Sequence, residues 1–149
     1  MVSQNLLSVE TLVGAPPLST PLVPRRMLVV DDEEPILFAM KAYFTMRGFK
    51  VDCAQEKEEA EALLNSVYYS VVIVDLRLTG INGTEGLEII GGIQERYPDT
   101  RIILLTAYGS PEIEAEAKHR GADALLHKPQ RLPAVAKIVF ELLGEEKNP

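Results

Sequence analysis

Five polar side chains follow closely on short apolar runs in this sequence. Met27–Val30 (M-L-V-V) leads into Asp31 and Asp32, Val71–Val74 (V-V-I-V) into Asp75, Ile102–Leu105 (I-I-L-L) into Thr106, and Ala124–Leu126 is followed two residues later by Lys128. The first run meets four consecutive carboxylates, Asp31 to Glu34. Like charges a few ångströms apart repel and raise each other's pKa. Either the block is solvated at a helix N-terminus, where each acid contributes about 0.3–1 kcal/mol, or something positive belongs there. Asp75 sharpens the choice, because a carboxylate ending a buried strand needs a partner. Three carboxylates, a hydroxyl and an ammonium facing one crevice make an oxygen-rich, negative pocket suited to a hard divalent cation. Magnesium fits best, since it takes few carboxylates, keeps waters and completes its shell with phosphate oxygens.

The elements that must position these groups alternate. Met27–Val30 reads as a strand. Pro35–Arg47 carries Ile36, Leu37, Met40, Tyr43 and Phe44 at helical spacing and stops at Gly48. A weaker strand over Lys50–Ala54 precedes a helix over Glu58–Asn65 with Ala60, Leu63 and Leu64 inward. Val71–Asp75 and Arg101–Thr106 are apolar without alternation, as in strands covered on both faces. A helix over Gly86–Tyr97 separates them. Ser110-Pro111-Glu112 opens the next helix with an N-cap, a proline at N1 and an acid in the first turn, and Gly121 ends it. A strand over Ala124–Leu126 and an amphipathic helix over Leu132–Leu143 follow. Five strands alternating with five helices predict an open α/β sandwich. In such sheets the working site lies at the carboxyl ends of the strands, where the five polar residues stand.

Composition narrows the function classes. The chain has 149 residues, 46% hydrophobic and 25% charged, which favours one domain with a single apolar core. A net charge of −7 repels phosphate backbones, so direct nucleic-acid binding is not expected. The single cysteine, Cys53, excludes an internal disulfide. No apolar run approaches the roughly 20 residues of a membrane helix, and no secretory signal is legible, so a soluble cytoplasmic protein is expected. Residues 1–25 hold Pro16, Pro17, Pro21 and Pro24 among Ser, Thr and Gly. They read as a flexible proline-rich arm, with Leu6, Leu7, Val9, Leu12 and Val13 offering a short docking helix as the alternative. Residues 26–149 form the folded unit.

The set V-V-D-D-E, V-I-V-D-L-R-L-T-G, L-L-T-A and H-K-P, in this order and spacing, resembles the receiver domain of two-component response regulators over roughly Met27 to Leu143. The resemblance implies a flavodoxin-like sandwich with a parallel sheet in the order 2-1-3-4-5. It implies that Asp75 is the phosphoacceptor, taking a phosphoryl group from a phosphohistidine on a sensor histidine kinase or histidine phosphotransfer protein. Asp32 matches the direct magnesium ligand, Asp31 the carboxylate acting mainly through water, and the backbone carbonyl of Arg77 the third protein ligand. Thr106 matches the hydroxyl that binds a phosphoryl oxygen, and Lys128 the ammonium that pairs with the phosphoryl or with free Asp75. The Lys128–Pro129 peptide is expected to be cis.

Three positions depart from the family pattern. Leu125 stands where many receivers carry a switching Tyr or Phe, Thr79 replaces a frequent proline, and Gln130 replaces a common aromatic. They leave the phosphorylation chemistry intact and change the readout. Arg77 and Tyr108, two residues after Asp75 and Thr106, are expected to impede a hydrolytic water. Gly80, Gly83 and Gly86 lack the G-x-G-x-x-G spacing and read as a turn and the start of a helix. His119 and His127 read as surface residues. Two rival functions remain. One is a haloacid-dehalogenase-type phosphatase, which Asp75-Leu-Arg-Leu-Thr79 resembles but with Arg77 where a second aspartate is needed. The other is a pseudo-receiver that binds proteins through a silent site. Whether the chain acts alone or belongs to a longer regulator, and whether it pairs with a second copy, stays open.

Overall fold

Alternating residues of each central strand go to opposite sides of the sheet, and both sides are apolar. The chain, seen here as a computed structural model, is described over residues 24–78 and 83–144. The expected arm therefore lies outside the described residues except for Pro24 and Arg25, and so do Thr79 and Gly80. The elements are β1 (Arg26–Val30), α1 (Glu34–Thr45), β2 (Lys50–Ala54), α2 (Lys57–Ser66), β3 (Val71–Val74), α3 (Glu85–Arg96), β4 (Arg101–Thr106), α4 (Pro111–Arg120), β5 (Ala124–His127) and α5 (Leu132–Leu143). All strand pairs are parallel, in the order β2-β1-β3-β4-β5. Every predicted element is present. Ends differ by a residue or two, where helix termini fray and the last ladder bonds thin out.

Met27 and Val29 of β1, Val71 and Ile73 of β3, and Ile103 and Leu105 of β4 pack with α1 and α5 through Leu37, Phe44, Val135 and Val139. Leu28 and Val30, Val72 and Val74, and Ile102 and Leu104 pack on the other side with α2, α3 and α4 through Leu64, Ile90, Ile93 and Ala117. This period-two division is why β3 and β4 read as unbroken apolar runs. Each fully buried Val, Leu or Ile contributes about 1.5–3 kcal/mol, and the three central strands are the most buried part of the sheet. The helices that close the sheet follow local rules. Ser110 caps α4, its side chain accepting from the N–H of Ile113 at 3.2 Å, and Pro111 occupies the first turn. Gly48 after α1 has φ +96°, a conformation that favours glycine. α4 is the least anchored helix: Ala117 is its one buried residue. Among the described residues, no helix is long and apolar enough to cross a membrane.

The register sets the floor of the site. Val30 pairs with Val74 and with Ala54. The ladder then runs one residue past the strands: the N–H of Asp31 donates to Ala54 O at 3.0 Å, that of Asp75 to Val30 O at 2.9 Å, and that of Lys128 to Thr106 O at 2.9 Å. The backbones of Asp31, Asp75 and Lys128 are thus pinned to the neighbouring strands β2, β1 and β4.

Candidate functional site

Once β1 and β3 are in register, Asp31 and Asp75 lie at the same level of the sheet and their side chains share one pocket. One carboxylate oxygen each from Asp31, Asp32, Glu33 and Asp75 lies within 4.8 Å of the others. The three expected acids do converge, and Glu33 joins them. Asp31 and Asp75 are buried, Asp32 is half-buried and Glu33 is exposed. Such crowding requires compensation, and Lys128 supplies part of it. Its ammonium lies 2.7 Å from Asp31 Oδ2, 3.0 Å from Glu33 Oε2 and 3.1 Å from Asp75 Oδ2. An ammonium has three N–H donors, so the three contacts occupy all of them.

Burial alone would depress the Lys128 pKa, but its hydrogen bonds to Asp31, Glu33 and Asp75 outweigh burial and hold it above its usual value, so the ammonium stays charged. Asp31 is pushed the other way. Burial raises its pKa, only partly opposed by Lys128 and by the N–H of Glu33, which donates to Asp31 Oδ1 at 2.9 Å. Four carboxylates against one ammonium leave the pocket net negative. Asp75 shows the same shortfall: Oδ2 accepts from Lys128, while Oδ1 is buried with no hydrogen-bond partner among the described residues. A buried carboxylate oxygen left bare is costly. The donor set is hard, oxygen-only and negative, which fits a divalent cation of the magnesium type.

Thr106 ends β4, buried, its Oγ1 accepting from the N–H of Tyr108 at 3.1 Å. Since Val74 pairs with Leu104, Asp75 is level with Leu105 and Thr106 stands one step nearer the mouth. The Arg77 guanidinium lies over the Tyr108 ring, 4.3 Å from its centroid, so the two residues expected to flank the carboxylate form one stacked pair. The Lys128–Pro129 peptide is cis. Leu125 is half-buried against the α2–α3–α4 side of the core, and the Gln130 side chain turns back to donate to His127 O at 2.8 Å. His119 and His127 are exposed, as expected, and His127 Nε2 also meets Glu114 Oε2 at 3.2 Å.

The supporting roles of two residues escaped the sequence reading. Glu85 is buried at the start of α3 and accepts from the N–H of Leu78 at 3.3 Å, tying the loop after Asp75 to the helix. Gly86 packs against the main chain of the site itself. Its N–H donates to Leu76 O at 2.9 Å, and a Cβ there would overlap the carbonyl oxygen of Asp75.

With this geometry in view, comparison with known proteins gives one answer. The family model of the response regulator receiver domain matches residues 27–140. The chain belongs to that family, the receivers of two-component signalling. Among curated relatives, it is 37% identical over 105 residues to the photosynthetic apparatus regulatory protein RegA of Cereibacter sphaeroides, covering 70% of this chain and 55% of that one. The chain spans about half the length of this and other curated relatives it matches. Among solved structures, it is similar to the response regulator TrrA of Thermotoga maritima in complex with Mg(2+)-BeF. The TM-score is 0.67 with 34% identity, over 79% of this chain and 98% of that one. It is also similar to a Burkholderia pseudomallei response regulator with a phosphorylated aspartic acid, calcium ion and citrate. The TM-score is 0.69 with 29% identity, over 78% and 72% of the two chains.

Proposed function

We propose that this receiver accepts a phosphoryl group on Asp75 from a phosphohistidine donor, in a reaction that requires Mg2+ held by Asp31, Asp32, Asp75 and the backbone carbonyl of Arg77. The bare, buried Oδ1 of Asp75 carries the reading: it is an acceptor with no role inside the described fold, beside a second oxygen already held by Lys128. The cation supplies Lewis-acid neutralisation of charge building on the phosphoryl oxygens.

The chain's own groups do the rest. A carboxylate oxygen of Asp75 attacks phosphorus, the N–P bond of the donor breaks, and its electron pair remains on the imidazole nitrogen, which takes a proton from solvent. Lys128 follows the negative charge from the carboxylate to the phosphoryl group, and the Thr106 hydroxyl turns from the Tyr108 N–H toward a phosphoryl oxygen. The donor approaches over a groove of about 620 Å³ beside Lys128, walled by Pro35, Ile36, Ala39, Tyr108 and Pro129. Such an apolar wall at the mouth suits a helix-borne histidine on a partner kinase or phosphotransfer protein. With a leucine at position 125, output passes through the lightly anchored α4 and its neighbours β4 and β5, a two-state shift biased by phosphorylation.

Electrospray mass measurement after incubation with acetyl phosphate and Mg2+ tests this. A stable gain of one phosphoryl group, abolished by a chelator, is the expected result. A folded chain that gains nothing is a silent protein-binding receiver instead. Size measurement of both forms then shows whether phosphorylation drives pairing.

A further inference from the structure

We infer that Glu33 is a positioning residue that makes phosphoryl acceptance conditional on the cation; the inference rests on the function proposed above. Asp31 and Asp75 are buried and fixed to the sheet, whereas Glu33 is 58% exposed in its side chain and stands at the mouth. From there it reaches the Lys128 ammonium at 3.0 Å across 95 residues of sequence. Its backbone is also placed: the N–H donates to Asp31 Oδ1, and the carbonyl accepts from Ile36 and Leu37 at the first turn of α1. The side chain therefore takes the third donor of Lys128 and leaves a negative charge on the route by which a donor arrives.

The charge count shows the consequence. Asp31, Asp32, Glu33 and Asp75 against Lys128 leave three net negative charges in the cluster, and an anionic donor is repelled. A divalent cation cuts that to one. Without Glu33 the same steps run from two to zero, so the site would accept anionic donors more readily and hold the cation less firmly. Glu33 thus trades donor access for cation affinity. The bare Asp75 Oδ1 is the independent sign that the cluster is built to receive a ligand.

Two variants separate charge from tether. Glu33→Gln keeps a carbonyl oxygen for Lys128 but loses the charge; Glu33→Asp keeps the charge but shortens the reach. The first measurement is Mg2+ affinity by calorimetry, with no donor present. The second is the rate of adduct formation with acetyl phosphate at saturating Mg2+. In that reaction its P–O bond breaks, acetate leaves with the electron pair, and the new P–O bond forms to Asp75. Expected for Glu33→Gln is Mg2+ binding about three- to tenfold weaker, together with a rate at low ionic strength about three- to tenfold faster, the rate gain shrinking in high salt. Glu33→Asp retains the affinity and the slow rate. Equal affinity and rate in Glu33→Gln, or a fall in both, overturns the inference. If the wild-type chain forms no adduct at all, the proposed function fails, while the calorimetric arm still decides the role of Glu33.

Discussion

Gly86, in the first turn of α3, rests directly on the main chain of Asp75, so closely that a single Cβ would overlap the Asp75 carbonyl oxygen. The obstacle is backbone and cannot swing aside as a side chain does. Overpacking of this kind costs about 1–3 kcal/mol, against about 1 kcal/mol gained by replacing glycine with alanine in a helix. Gly86→Ala is therefore expected to lower the denaturation midpoint and to weaken Mg2+ binding, because the displaced segment carries Asp75. Chemical denaturation and calorimetry on the same sample check both effects; a variant more stable than wild type would show that the helix can back away freely.

Lys128 pairs with Asp31, Glu33 and Asp75 at once. Lys128→Ala leaves Asp31 and Asp75 buried and unpaired, which costs about 3–5 kcal/mol for a broken buried pair. The same substitution makes the cluster more negative and its attraction for a cation stronger. Thermal melts with chelator and with Mg2+ are expected to show a larger metal-induced rise for the variant than for wild type. An equal rise in both would separate the lysine from the cation site.

Arg77 and Tyr108 stack on one another, and we expect that pair to roof the pocket beside Asp75. An exposed cation–π pair contributes about 0.5–1 kcal/mol, and its loss shortens the acyl-phosphate lifetime roughly two- to fivefold if the stack bars water. Since either truncation removes the pair, Arg77→Ala, Tyr108→Ala and the double variant should share one dephosphorylation rate. Unchanged lifetimes in both single variants would dismiss the roof.

These residues show what the sequence could reveal and what it withheld. The ten elements were legible because β3 and β4 are covered on both faces, and because Gly48, Ser110, Pro111 and Gly121 mark helix ends by their own chemistry. Asp31, Asp32, Asp75, Thr106 and Lys128 were legible because each stands at or just past the end of a strand, and parallel sheets gather strand ends. Glu33 was visible only as part of an acidic block. Its contact with Lys128 depends on strand order, which brings β5 within reach of β1 across β3 and β4. Gly86 read as a flexible start to a helix, whereas its use is close approach, which no local pattern encodes. Glu85 fell just outside the predicted helix, and nothing in its neighbours in sequence announces that it is buried.

At the other end of the sheet, the buried Tyr69 donates to Asp52 Oδ2 at 2.6 Å. Burial, then this hydrogen bond, holds its phenol well above the ordinary value of 10.0. In the unfolded chain the phenol ionises near 10, while the folded chain keeps it protonated. The group's contribution to stability is thus full below about pH 10 and lost as pH climbs above that. Tyr69→Phe is expected to cost about 1 kcal/mol near neutral pH. Urea denaturation at about pH 8 and about pH 11 should show the gap between the two proteins closing at the higher pH; a constant gap would mean that the phenol titrates normally.

The account stands most directly on which atom receives the phosphoryl group. Borohydride reduces an aspartyl phosphate to homoserine, so treating the chain after acetyl phosphate and Mg2+, then sequencing its peptides by mass, reads the acceptor position. Homoserine at position 75 alone, and none in Asp75→Asn or without the cation, is the predicted result. Homoserine at position 31 or 32, or an adduct that persists in Asp75→Asn, would contradict it.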